Sequence, residues 1–472
     1  MSIISTITKR YKINRIIQGN WDILMNKLII DKVISSSYEI ENFKVEDYGF
    51  SLIINIPIGQ SLKEFRKLIP LINATYGLDS IAYYTSNKKN IKLCCFSYDL
   101  NISNENLIFF KWEQIFENSK FRNNEGETFK LFDKKEILHP LTNKVIGYDC
   151  KIDIPSGLSY DLLESNLNML NSNFSVCILK FNSYDDINAK ILFDKLSDDE
   201  TFVPYNVKPY EFLIGLTNYF KPIILNFKTH PNLLIGGTIN SGKTMAMFIG
   251  LLNLIIHYSS SQVNFYLSML SSKQDLYVFR NTSHCKCYAN TLESVLEMLI
   301  DLDKMMEDRN LLFKEYNDKN NACIFNIYDY IDKTRNELPI LYLCIDEIAA
   351  YAISNPNIKQ KSKEDLLKEK CNSLLWKIAR EGRSVGIYCV FCTQRGGITC
   401  LSGDIKGMLV NQICFYFPNP TSAFTILGDE KLSNLATKIQ INREFIGILD
   451  DIYIGKTFNL KNEEIENILK NN

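Results

Sequence analysis

The sequence predicts an α/β fold with a mostly parallel sheet flanked by helices, preceded by a smaller N-terminal α+β region built by duplication. Three observations carry this. Residues 237–244 read Gly237-Thr238-Ile239-Asn240-Ser241-Gly242-Lys243-Thr244, a complete G-x-x-x-x-G-K-[ST] phosphate loop between an apolar run and a helical one. From residue 201 onward strand and helix patterns alternate, which implies parallel strands joined by helical crossovers. Finally, Gly49 to Ser61 recurs as Gly147 to Ser159 at a constant offset with no gap.

Composition sets the bounds. With 472 residues, 46% apolar and 23% charged, the chain can bury a large core divided among domains. A formal net charge of −1 gives no bulk attraction to nucleic acid or anionic membrane, so a polyanion must be met by a local basic surface. The 13 cysteines are scattered, many within apolar runs, and no signal peptide precedes them, so reduced thiols and a cytoplasmic location are expected. Cys389 and Cys392 fall on opposite faces of one expected buried strand, and His284-Cys285-Lys286-Cys287 lacks a second ligand pair, so neither reads as a metal site. The longest apolar stretch, Met245 to Ile256, is too short for the roughly 20 residues that span a bilayer. No transmembrane segment is expected.

Residues 1–200 read as two repeated α+β units, about 46–100 and 144–196. In each, a strand ends at Pro57 and Gly59, or Pro155 and Gly157, and Ser61 or Ser159 stands as N-cap. Helical spacing follows in Leu62, Phe65, Leu68 and Ile69, and in Leu163, Leu167 and Leu170. Two further strands complete each unit, 80–84 with 90–96 and 175–181 with 189–193. A charged stretch around 121–128 joins the units, and Asp198-Asp199-Glu200 marks the boundary. The second domain, 201–472, should then run strand 233–237, helix 243–257, strand 263–269, helix 291–317, strand 340–345, helix 363–380, strand 386–392 and strand 412–417.

The loop amides and the helix N-terminus can cradle phosphates. Lys243 is expected to neutralise the β- and γ-phosphates of ATP while the Thr244 hydroxyl ligates Mg²⁺. Strand 340–345 ends in Asp346-Glu347, which supplies one carboxylate for the Mg²⁺ shell and a second, Glu347, as general base for the attacking water. The next strand ends in Thr393-Gln394-Arg395, where the Gln394 amide can sense the γ-phosphate or the water. Arg380 and Arg383, at i and i+3, share one helix face. That pair is either solvated and salt-bridged, or offers an arginine finger to a neighbouring subunit.

From about 211 to 470 the chain resembles the motor domain of the FtsK/SpoIIIE family of DNA translocases. The resemblance runs through Ile214-Gly215, Lys221 to Asn226, His230 to Thr244, Met306-Glu-Asp-Arg309, Cys344 to Ala349, Arg383 to Ile387, Thr393-Gln-Arg395 and Thr425-Ile-Leu427. It implies a RecA-like P-loop NTPase fold, a homo-hexameric ring around duplex DNA and ATP hydrolysis shared between subunits. Some positions depart from the pattern. A side chain, Asn240, stands where the family commonly has glycine, no proline follows Thr393-Gln-Arg395, and Ala423-Phe424 replaces a frequent Ser-Arg. Arg383 is therefore the trans-acting residue of choice.

With no membrane-spanning start and no winged-helix reader expected, the likeness is to the compact members of conjugative plasmids, integrative elements and phages. DNA-facing residues by this resemblance are Lys359, Lys361, Lys363 and Lys406, whose phosphate contacts would be sequence-blind. Two other readings stand beside DNA translocation: a type VII-like protein-secretion ATPase, and an assembly adaptor that binds ATP only to oligomerise. The N-terminal units carry no catalytic constellation and are expected to dock a relaxase or membrane channel, which would recruit the chain to the membrane.

Overall fold

Helix α1 (Ile3–Ile30) lays Ile17, Trp21, Leu24, Met25 and Leu28 into the core beneath β1 (Ile40–Glu46), β2 (Gly49–Asn55), β3 (Asp79–Tyr84) and β4 (Asn90–Phe96). Between β2 and β3 run α2 (Leu62–Arg66) and α3 (Ile69–Tyr76). The same plan follows in α4 (Asn104–Ile115), β5 (Lys130–Leu138), β6 (Val145–Asp153), α5 (Tyr160–Glu164), α6 (Leu167–Asn173), β7 (Val176–Phe181) and β8 (Ile187–Leu192). The computed structural model describes residues 3–471 except 86–88, 98–102, 117–120, 141, 182–185, 194–195, 197–199, 271–274, 354–360, 395–406 and 440–441, with backbone alone over 3–14. It divides into Met1–Lys195 and Leu196–Asn472.

The two sheets of the first unit are antiparallel with matching orders, β1-β2-β4-β3 and β5-β6-β8-β7. Each repeat also begins with a helix that strand-and-turn matching does not reveal. Trp21 Nε1 donates to Tyr38 O at 2.6 Å and Trp112 Nε1 to Phe129 O at 3.0 Å, both across 17 residues, so each helix is pinned to its own hairpin in the same way. The sheets differ on their other faces. On the first, Tyr48, Ile81, Cys94 and Phe96 pack on Phe110 of α4, with Phe96 and Phe110 stacked at 3.8 Å. The second carries Asp149, Lys151 and Lys190 there, in ion pairs with one another and with Asp133 and Asp186. A charged outer face ends such a stack without inviting another layer.

The helix expected through Leu62–Ile69 is two short ones. Pro70 lies in the first turn of α3, where its missing N–H costs nothing, but it could not have bonded back to the Arg66 carbonyl. The second copy breaks at the same place without proline, where Asn166 Nδ2 donates to Leu162 O at 2.8 Å. Ser61 and Ser159 do occupy the N-cap positions, yet neither side chain caps a backbone N–H; Ser61 Oγ turns to the Glu64 carboxylate instead.

The second unit contains β9 (Glu211–Thr217), β10 (Pro222–Asn226), β11 (Asn232–Gly236), α7 (Lys243–His257), β12 (Val263–Ser268), β13 (Cys285–Ala289), α8 (Leu292–Asn320), α9 (Ile327–Thr334), β14 (Ile340–Ile345), α10 (Lys363–Glu381), β15 (Ile387–Thr393), β16 (Asn411–Cys414), α11 (Pro420–Leu427), α12 (Glu430–Ala436), β17 (Glu444–Ile448), β18 (Ile452–Lys456) and α13 (Asn462–Asn471). One ten-stranded sheet results, ordered β10-β9-β18-β17-β16-β11-β15-β14-β12-β13. The run from β16 to β13 is parallel, and the other strands are added antiparallel. Every residue of β12, β14 and β15 is buried, as parallel strands covered on both faces require. The fold class is thus the one the sequence predicts, with an antiparallel extension it leaves out. Among the described residues no helix is long and apolar enough to cross a membrane.

Candidate nucleotide site

Because β11, β14 and β15 are parallel neighbours, with Gly236 beside Thr393 and Ile345 beside Phe391, their C-terminal ends lie along one sheet edge. That edge is where open α/β sheets bind ligands. The phosphate loop, Asp346-Glu347 and Thr393-Gln394 are brought together there by topology alone.

The loop is held by its own bonds. Gly237 N donates to Thr393 O at 3.2 Å, Thr238 N to Tyr416 O at 3.1 Å, and Ser241 Oγ to Thr238 O at 2.8 Å. Lys243 is buried, and its ammonium donates to Thr238 O at 2.6 Å, so it is curled into the cradle. Gly242 has φ 115°, and a Cβ there would lie 2.9 Å from both Phe415 Cε1 and Arg443 Cγ, so only glycine fits. Asn240 has φ 61°. Asn is the side chain that best tolerates this left-handed region, which explains how the loop keeps its shape without glycine at that position. Asn240→Val should therefore weaken ATP binding by roughly tenfold, since a β-branched residue pays about 1–2 kcal/mol or more there, while Asn240→Gly stays near wild type. Fluorescent-nucleotide titration checks both.

Thr244 Oγ1 lies 3.4 Å from Asp346 Oδ1, and Asp346 is buried with its N–H on Ser268 O at 3.1 Å. Two hard oxygen donors converge, which suits a cation that takes its remaining ligands from phosphate and water, as Mg²⁺ does. Among the described residues no group of three or more His, Cys, Asp or Glu forms a metal site by itself. Glu347 is fixed more firmly: Oε1 accepts Thr393 Oγ1 at 2.9 Å and Ala349 N at 3.2 Å, and Oε2 accepts Gln394 N at 2.8 Å. Gln394 thus meets Glu347 through its main chain. In this way the end of β15 orients the carboxylate at the end of β14.

Arg383 lies elsewhere. It is exposed on the short turn Gly382–Val385 that leads into β15, and Nη1 donates to Thr229 O at 3.4 Å. The seven residues of β15 separate it from Thr393, about 23 Å at strand rise, so it cannot reach its own chain's loop. The shared helix face expected for Arg380 and Arg383 does not form, because α10 ends at Glu381 before the second arginine. Arg380 stacks on Trp376 at 3.8 Å and pairs with Glu381, a solvated ion pair. Lys361 pairs with Glu369, and Lys363 is exposed at the start of α10. Lys359, Arg395 and Lys406 lie outside the described residues.

Cys389 and Cys392 are core residues here. Burial pushes the Cys389 and Cys392 thiols up, and His284, lowered by burial, has its Nε2 2.8 Å from Tyr258 O. Sequence reasoning missed Tyr416 and Arg443, which reach the loop from beyond β16 and from before β17. No spacing rule connects them to residues 237–244.

The FtsK/SpoIIIE family sequence model matches residues 208–397. "DNA translocase FtsK" of Lactococcus lactis subsp. cremoris is 27% identical over 213 residues, covering 43% of this chain and 26% of that protein. The protein of the same name from Borreliella burgdorferi is 26% identical over 235 residues, covering 48% of this chain and 27% of its own length. The chain therefore spans about a quarter of the length of the curated relatives it matches. In fold it resembles the solved pCW3 conjugation coupling protein TcpA, in monomer form with ATPγS, with TM-score 0.51 and 16% identity over 77% of this chain and 99% of that one. Through its strand-loop-helix cradle and the carboxylates that face it, the chain is similar over residues 208–397 to the FtsK/SpoIIIE family.

Proposed function

We propose that this chain is an ATPase that drives the movement of duplex DNA, working as a homo-hexameric ring. The observation that carries the proposal is the convergence of Lys243, Thr244, Asp346 and a triply held Glu347 on one sheet edge. On ATP binding, Lys243 would exchange the Thr238 carbonyl for phosphate oxygens, so the buried ammonium stays satisfied throughout. Thr244 and Asp346 would hold Mg²⁺, whose charge, when bound, offsets that of the phosphates. Glu347, already aimed by Thr393 and Gln394, takes the proton of the attacking water. DNA as the substrate is supported by the relatives' names and by the family match.

Arg383, remote from its own loop and exposed, suits a role in trans: it would stabilise the charge on a neighbour's nucleotide and link hydrolysis to the angle between subunits. Mixing tests this. Lys243→Ala lacks the phosphate contact but keeps the finger, and Arg383→Ala does the reverse. Each alone should be inactive, and their mixture should recover turnover where an intact loop meets an intact finger. A mixture as inactive as its components would remove Arg383 from the site.

A further inference from the structure

The first unit begins at α1, whose side chains Ile17, Trp21, Leu24, Met25 and Leu28 are buried in the core beneath their own sheet. On the heptad that places Ile16, Ile23 and Ile30 at position a, those five fall only at b, c and f. The unit therefore covers the back of the helix and leaves its a/d seam bare. Ile16, Ile23 and Ile30 are 63%, 69% and 77% exposed, and Gly19 and Asn26, at d, are exposed as well.

The corresponding side of α4 is a packing surface. Trp21 and Trp112 make matching bonds to their hairpins, which equates Gly19 with Phe110, each two residues earlier. Phe110 is buried against the outer face of the first sheet and stacked on Phe96 at 3.8 Å. A Cβ added at Gly19 would meet nothing within 4 Å. What α4 fills from within the chain, α1 leaves open, and the missing side chain lets another backbone approach closely.

We infer that α1 pairs in parallel with α1 of a second copy of this chain, Ile16, Ile23 and Ile30 each meeting its own counterpart. Isoleucine at a favours two parallel strands. Charge sets the direction. Asp22 at g and Lys27 at e are both exposed, and among the described residues neither forms an ion pair within its own chain. They stand five residues apart, the spacing at which g of one parallel helix meets e of the other. An antiparallel pair would set g beside g and keep the two charges apart. Copies in a ring point the same way, as a parallel pair requires, yet the pairing stands without the ATPase reading.

Disulfide trapping of the full-length chain tests this, with the wild type's own cysteines setting the background. Under mild oxidation Ile16→Cys, Ile23→Cys and Ile30→Cys, each alone, should cross-link into dimers about tenfold faster than Gln18→Cys, which is exposed but off the seam. In the Ile23→Cys chain, Asp22→Lys should slow the reaction about threefold, the scale of an exposed ion pair, and adding Lys27→Asp should restore it. Cross-linking only when Ile16→Cys and Ile30→Cys chains are mixed would mean an antiparallel pair and overturn the proposal. Rates no faster than that of Gln18→Cys would overturn it too, and shielding of the three introduced thiols by phosphatidylglycerol vesicles would then assign the stripe to a lipid surface.

Discussion

Glu347→Gln should lower ATP turnover by roughly 10² to 10⁴, the usual contribution of a positioned general base, while ATP affinity stays within a few-fold of wild type. The geometry makes the substitution more than a loss of charge. Glu347 accepts from three donors, the Thr393 hydroxyl and the Ala349 and Gln394 amides. Glutamine offers one oxygen, so its NH₂ must face a donor, and the tie from β14 to the end of β15 loosens. Steady-state turnover with parallel nucleotide titration separates the effects. Turnover within tenfold of wild type would show that another group takes the proton.

Arg309→Met should cost about 3 kcal/mol of stability, a large share of the 5–15 kcal/mol typical of a folded domain. Arg309 is 8% exposed on α8; one guanidinium nitrogen donates to Val385 O and another to Pro339 O at 2.8 Å. Those carbonyls precede β15 and β14, so this side chain fixes the starts of the two strands whose far ends carry Thr393 and Asp346. Burial pulls the guanidinium down to about 10, which leaves it charged at neutral pH. Removing it takes the donor from the buried Val385 carbonyl and the half-buried Pro339 carbonyl. Arg309→Lys should recover only part of the loss, because a single ammonium cannot span both acceptors in a fixed fork. Urea denaturation measures this, and a change below about 0.5 kcal/mol would mean that water satisfies the carbonyls instead.

The legible parts of the sequence were those where one residue pattern serves one element. Leu341-Tyr-Leu-Cys-Ile345 and Ile387 to Cys392 are buried on both faces, so their composition alone marks them as central strands. The phosphate loop is legible because its chemistry is local. By contrast, β13 is half-exposed with lysine at its second position, and β17 and β18 are short, with glycine near their ends. Such strands are defined by their partners. Helix α1 was missed because it mixes apolar, basic and asparagine residues around its circumference, although Trp21, Leu24 and Leu28 do mark one buried face. At the site, Tyr416 and Arg443 arrive through sheet order, which no linear spacing encodes. Arg383 shows the converse: its spacing from Arg380 suggests a shared face, but the helix ends between them.

The central claim is that hydrolysis at this edge is coupled to DNA. The most direct measurement is ATP turnover of the wild-type chain and Glu347→Gln, each with and without linear duplex DNA. Strong stimulation of the wild type by duplex, absent in the variant, is the predicted result. Turnover that depends on Glu347 but is indifferent to both duplex and single-stranded DNA would contradict the claim and turn the search toward polypeptide substrates.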